Sequence, residues 1–162
     1  MKLHVLETIQ KQKLFVGSTV GVGMFRGVIV IGHGHAPPTA EDWTQLCRIL
    51  DLYKDCTRAH LVLSLGGVPN PMQRKAALDQ YPKGHVMAPS AMMPNHDANR
   101  AVASAINWLK GDTSRAFAEA DLAGVCMHLH VSYPEAEALL AFAHELLPLH
   151  DVVPPSGARA HH

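Results

Sequence analysis

The sequence predicts a single α/β domain, a sheet with crossover connections and helices packed on at least one face. Two observations carry that reading. Short apolar runs of strand type alternate along the chain with segments of helical periodicity, which is the signature of crossover connections. The 162 residues are enough to bury a core without staples, and no internal repeat, low-complexity block or linker divides them. One domain is expected over residues 1–150, with a flexible tail over 151–162.

Residues 14–31, LFVGSTVGVGMFRGVIVI, are rich in Val, Phe, Thr and Gly and predict a hairpin of two strands around GMFRG. Thr39 is a good helix N-cap, and Asp42 is placed three residues on to reach back to it. Trp43, Leu46, Cys47, Leu50 and Tyr53 then share one apolar face, predicting a helix over about 40–54. The apolar run 58–65 ends at Gly66-Gly67 and predicts a buried strand. Asn70 caps a second helix with Pro71 at its first position, where the missing N–H costs nothing, ending near Gln80. HVMAP (85–89) predicts a further strand. Asn95 opens a third helix, with Ala98, Ala101, Val102, Ala105, Ile106 and Leu109 along one stripe and Gly111 at its close. A brief strand over 114–117 precedes a fourth helix bearing Leu122, Val125, Cys126 and Leu129. Ser132 and Glu135 form a capping box for the last helix, 133–147, whose apolar face holds Leu139, Leu140, Ala143, Leu146 and Leu147.

Lys plus Arg and Asp plus Glu both number 14, so no net basic field exists to drive nucleic-acid or anionic-membrane binding. The N-terminal stretch lacks the continuous apolar core of a signal peptide, and no run approaches a membrane span. A cytoplasmic protein is expected. Cys47, Cys56 and Cys126 are widely spaced, form no C-x-x-C pair and read as buried reduced thiols.

The loop Gly66–Pro71 has the shape of an anion-binding turn before a helix. It lacks both common nucleotide-loop motifs, and Pro69 and Pro71 each remove an N–H from the turn that would hold the anion. Arg74 and Lys75 oppose the helix dipole near its start and read as solvated. Ser64 is not in a G-x-S-x-G elbow, and Cys47 lies on an apolar helix face where thiols are inert. Among the histidines, His33 and His35 have the i, i+2 spacing that puts two rings on one face of a strand. They are the alternative metal pair. His128 and His130 have the same spacing on a predicted helix, where it turns the rings roughly 200° apart. Met87, Met92 and Met93 read as gap-filling core or an adaptable contact surface. No cofactor is implied.

LVLSLGGVPNPMQRKAAL, followed by an apolar strand and NRAVASAINWLKGDTSRAFAEADLAGVCMHL, resembles the STAS-like group of bacterial proteins, related to anti-sigma-factor antagonists and the cytoplasmic domains of sulfate transporters. The likeness is to a branch with a Gly-Gly-x-Pro-Asn-x-x-Gln-Arg signature, here Gly66, Gly67, Pro69, Asn70, Gln73 and Arg74. A later helix of that branch ends in Trp, here Trp108, and is followed by an Ala-Phe strand, here Ala116-Phe117. The likeness runs from about residue 27 to about 131. It implies a STAS-like mixed β-sheet flanked by helices and a non-enzymatic role in protein–protein regulation. Antagonists of this type are switched by phosphorylation in an Asp-[Ser/Thr]-x-Gly turn. Here no Asp precedes Ser64, and Ser64 falls inside a predicted strand, which argues against phosphorylation there. The final helix lies beyond the matched stretch and is expected as an added interaction surface.

The leading expectation is a non-enzymatic module that binds another protein through Gly66, Gly67, Asn70, Gln73 and Arg74, with self-association into a homo-oligomer also compatible. The alternatives are a small-ligand- or metal-binding enzyme using a strand-end pocket around His33, His35, Gly66 and Gly67, or a structural subunit of a larger assembly.

Overall fold

Two adjacent strands at the centre of the sheet, β3 (Val28–His33) and β4 (Ala59–Ser64), are buried at every position. A computed structural model of the chain describes residues 11–94, 113–118 and 120–148. Around that central pair it places β1 (Lys11–Val16) and β2 (Val20–Phe25) on one side, and β5 (Ser90–Pro94) and β6 (Ser114–Ala116) on the other. The strand order follows the chain, β1-β2-β3-β4-β5-β6. β1 to β3 pair antiparallel, whereas β3 to β6 are parallel, so the sheet is mixed. The described helices are α1 (Ala40–Tyr53), α2 (Pro71–Leu78), α3 (Leu122–Leu129) and α4 (Tyr133–Glu145). None is long and apolar enough to cross a membrane.

Alternation along the strands divides the core into two layers. Val20, Val22, Ile29, Ile31 and Val62 face α1, packing with Trp43, Leu46, Cys47, Ile49 and Leu50. Val28, Val30, Leu61, Leu63 and Met93 face the opposite way, against Val125 and Leu129 of α3 and Leu139, Phe142 and Ala143 of α4. The VGVG start of β2 follows from this arrangement. Its valines point to α1 and its glycines to α4. A Cβ on Gly21 would lie 1.9 Å from the Leu146 carbonyl oxygen, and one on Gly23 2.4 Å from the Phe142 ring. Two missing side chains therefore let the helix settle onto the strand. The last helix, expected as an added surface, is thus a wall of the core.

The predicted two-strand hairpin is a three-strand meander. β2 and β3 are joined by Arg26 and Gly27, both at positive φ (48° and 78°), the two-residue turn whose twist matches the strands. β1 begins with three exposed polar residues and carries a register break between Lys13 and Phe15, as edge strands do, which hides it from a search for apolar runs. The strand expected at 85–89 starts at Ser90 instead. Val86 is 89% exposed, while Ala91 and Met93 fill the core. Pro89 contributes only its carbonyl, which accepts the His60 N–H at 2.9 Å and leads the chain into β5. The helix expected at 95–110, with Trp108, lies outside the described residues.

Two local caps are diverted by long-range partners. Thr39 Oγ1 accepts the Asp42 N–H at 3.2 Å, but the buried Asp42 carboxylate turns away to accept the Thr19 N–H at 2.7 Å and the Thr19 hydroxyl. Thr19 Oγ1 in turn accepts the Thr39 N–H at 3.1 Å, tying the β1–β2 turn to the start of α1. Ser132 accepts the Glu135 N–H at 3.3 Å, while the Glu135 carboxylate pairs with Arg58 instead of closing the box. Of the cysteines, Cys47 is buried, but Cys56 is exposed at the turn after α1 and Cys126 half-buried, so not all three are core thiols.

Phe142 is fully buried between α4 and the sheet. Phe142→Ala should lower unfolding free energy by about 3–5 kcal/mol, because the cavity it leaves is walled by backbone on the glycine side and cannot collapse. Urea denaturation followed by circular dichroism measures the loss.

Candidate functional site

The Gly66–Arg74 corner is built from hydrogen bonds that end inside the protein. Ser64 closes β4 and is 2% exposed. Its hydroxyl donates to the Gly67 carbonyl at 2.9 Å and accepts the Gly66 N–H at 3.2 Å. Gly67 N–H donates to the Gly34 carbonyl at 2.8 Å. A Cβ at Gly67 would lie 2.2 Å from the Ala36 oxygen, so only glycine lets these two loops meet. Asn70 Oδ1 accepts the Gln73 N–H at 2.8 Å, and Gln73 Oε1 accepts the Asn70 N–H at 3.0 Å, a complete capping box. Gln73 Nε2 then donates to the Pro38 carbonyl at 3.0 Å, and Trp43 Nε1 to the Gln73 carbonyl at 2.7 Å. Arg74 Nη1 donates to the Pro69 carbonyl at 2.9 Å.

The five residues expected to bind a partner, Gly66, Gly67, Asn70, Gln73 and Arg74, are therefore brought together, but largely as a joint between loops. Gly67 is buried, Gly66, Gln73 and Arg74 are half-buried, and only Asn70 is exposed. Arg74, expected in solvent, lines the interior with Ala77, whereas Lys75 is exposed and pairs with Asp79 at 2.7 Å. The amides of Gly66, Gly67 and Asn70 already donate to protein acceptors, and Pro69 and Pro71 have none to give, so these five positions offer no N–H to an anion.

The two histidines of IGHGH part company. His33 ends β3 and is buried, while His35 lies in the exposed loop beyond it, where strand alternation no longer applies. Among the described residues, no group of three or more His, Cys, Asp or Glu side chains is placed to hold a metal ion. The His33 ring stacks on Trp43 with centroids 6.3 Å apart, and its Nδ1 has no hydrogen-bond partner among the described residues. His60, inside β4, has its Nδ1 3.3 Å from Ser90 Oγ. Desolvation lowers the pKa of both rings to about 4, so both are neutral at pH 7.

His128 and His130 do not share a helix, because α3 ends at Leu129. His130 takes a left-handed cap conformation at the end of α3, with φ 56°. His128 instead reaches the sheet, where its Nε2 lies 3.0 Å from both the Ser90 and Thr113 carbonyl oxygens. It thereby clamps the starts of β5 and β6. Nothing in the local sequence marks that role, which depends on the packing of α3 over the sheet.

Between the sheet and the α1–α2 layer lies a cavity of about 160 Å³. Its apolar walls include Ile31, Leu46, Val62 and Met92, and its aromatic ones Trp43 and Tyr81. His33, His60, Ser64 and Gly67 border it as well. The sequence placed a pocket around His33, His35 and the Gly66-Gly67 turn. His33 and Gly67 belong to this wall and His35 does not. Sequence reasoning missed His60, Trp43 and Tyr81 as lining residues. Strand register sets His60 beside Ser90, as it sets His33 beside Ser64, while Trp43 comes from α1 and Tyr81 from the turn after α2.

Both buried histidines bind protons less readily folded than unfolded, so they stabilise the fold fully above about pH 6.5 and progressively less as pH falls toward 4. At pH 5 each should cost roughly 2 kcal/mol relative to pH 7. Urea midpoints measured at the two pH values should separate in the wild type and converge in a His33→Gln, His60→Gln variant. At the corner, Asn70→Ala should cost about 1 kcal/mol by removing the cap of α2, read by the same denaturation.

Compared with protein-family models, with curated protein sequences and with solved structures, the chain matches none, so function is argued from the site itself.

Proposed function

We propose that the chain is a non-enzymatic, STAS-like regulatory module that docks another protein through the outer face of α2. One observation carries the reading. α2 has a complete capping box and a proline at its start, yet buries none of its residues. A short helix gains stability mainly by burying an apolar face, so one that is capped and tied down at its N-terminus while its outer face stays open is suited to presentation. Met72, Lys75, Ala76 and Asp79 occupy i, i+3, i+4 and i+7 positions, form one outward stripe, and are all exposed, Met72 at 82%.

Two further features support the proposal. The sheet is mixed and flanked by helices, as the STAS-like resemblance implies. The groups around the corner that would serve as a nucleophile or an anion cradle are spent on internal hydrogen bonds, with Ser64 turned inward. The signature residues on this reading hold the presenting helix in place, and the contact itself falls on their outward neighbours.

Substituting Met72→Glu and Ala76→Glu together should abolish capture of the partner recovered with the wild-type chain from its native source. Circular dichroism and the urea midpoint should stay unchanged, because neither side chain is buried. Undiminished capture by the variant would exclude this face. A wild-type dimer in light scattering that the variant dissolves would make the partner a second copy of the chain.

A further inference from the structure

We propose that the cavity between the sheet and the α1–α2 layer binds a small one-ring compound with a planar carbonyl head, a carboxamide or a carboxylate, held by the hydroxyls of Ser90 and Ser114. Size comes first. An apolar cavity of about 150 Å³ accepts a benzene-sized guest, and this one measures about 160 Å³. The walls then select the body of the guest. Leu46, Val62 and Met92 offer apolar contact, and Trp43 and Tyr81 supply aromatic surface for a ring.

The head follows from a polar row across the sheet. Ser90, the first residue of β5, pairs with His60 on one side and with Ser114, the first residue of β6, on the other. Strand alternation puts the three side chains on the face that carries Val62 and Met92, and all three residues line the cavity. His60 Nδ1, 3.3 Å from Ser90 Oγ, orients that hydroxyl. Ser114 is half-buried, and its hydroxyl makes no hydrogen bond among the described residues. Adjacent strands run about 4.8 Å apart, so the two hydroxyls can straddle the paired polar atoms of one carbonyl head. A hydroxyl both donates and accepts, which suits the two acceptors of a carboxylate and the acceptor and donor of a carboxamide. Arg74 stands in the same wall and no described Asp or Glu does, so a negative head is admitted as well as a neutral one.

Calorimetric titration of the full chain with benzamide, benzoate and toluene at millimolar concentrations tests the assignment. At least one of the two carbonyl compounds should bind saturably and about tenfold more tightly than toluene, the worth of one hydrogen bond. The tighter of the pair identifies the head as amide or acid. Ser90→Ala together with Ser114→Ala should bring that compound down to the affinity of toluene and leave toluene little changed. Ala77→Phe fills the cavity from the half-buried side of α2 and should abolish binding of all three. Absence of saturable binding by both carbonyl compounds, toluene binding as tightly as the better of them, or carbonyl binding untouched by the serine substitutions or by Ala77→Phe would each overturn the proposal. Should the double variant fail to fold, Ser114→Ala alone decides the matter: it removes a hydroxyl bonded to no described residue and should still weaken the carbonyl compound several-fold.

Discussion

The burial of both faces of β3 and β4 is the constraint on which the rest of the molecule depends. All twelve positions of the two strands are buried, so any polar side chain there must be neutral or internally bonded. Ser64 meets that demand through its own turn. His33 and His60 meet it by remaining uncharged. One layer over these strands is tight and the other is not. α4 settles onto Gly21 and Gly23. On the opposite face, α1 contributes six buried residues and α2 contributes none. The cavity lies where that second cover is thinnest.

What the sequence revealed was what periodicity and backbone chemistry encode locally. β3 and β4 are continuous apolar runs, and α1 and α4 carry apolar faces at helical spacing, so each was legible. β1 was not, because an edge strand keeps its polar residues. β5 was not, because Ser-Ala-Met-Met-Pro has little strand character of its own and gains it from neighbours that pair with it on both sides. Asp42 and Glu135 stand where a capping box needs them, yet each found a stronger partner far along the chain, Thr19 and Arg58.

The site divides along the same line. Gly66-Gly67 and the Pro71 helix start were readable because they are demands of a single turn. The convergence of His33, His60, Trp43 and Tyr81 depends on register between strands and on the angle at which α1 crosses them, and no local spacing records either. Gln73 shows the boundary well. Its place in a cap can be read from Asn70 three residues earlier, whereas its bonds to Pro38 and Trp43 come from an element thirty or more positions away. A residue type that looks like recognition in one dimension is, in three, the pin of a joint.

The margins of the sheet carry a consequence of their own. β1 presents Lys11 and Lys13 and is interrupted by its register break, while β6 is three residues long with Arg115 exposed. A neighbouring chain that recruits onto an open ladder needs a long, flat, uncharged template, and neither described margin offers one. High concentration should therefore not drive this protein into strand addition or fibrils along the described margins.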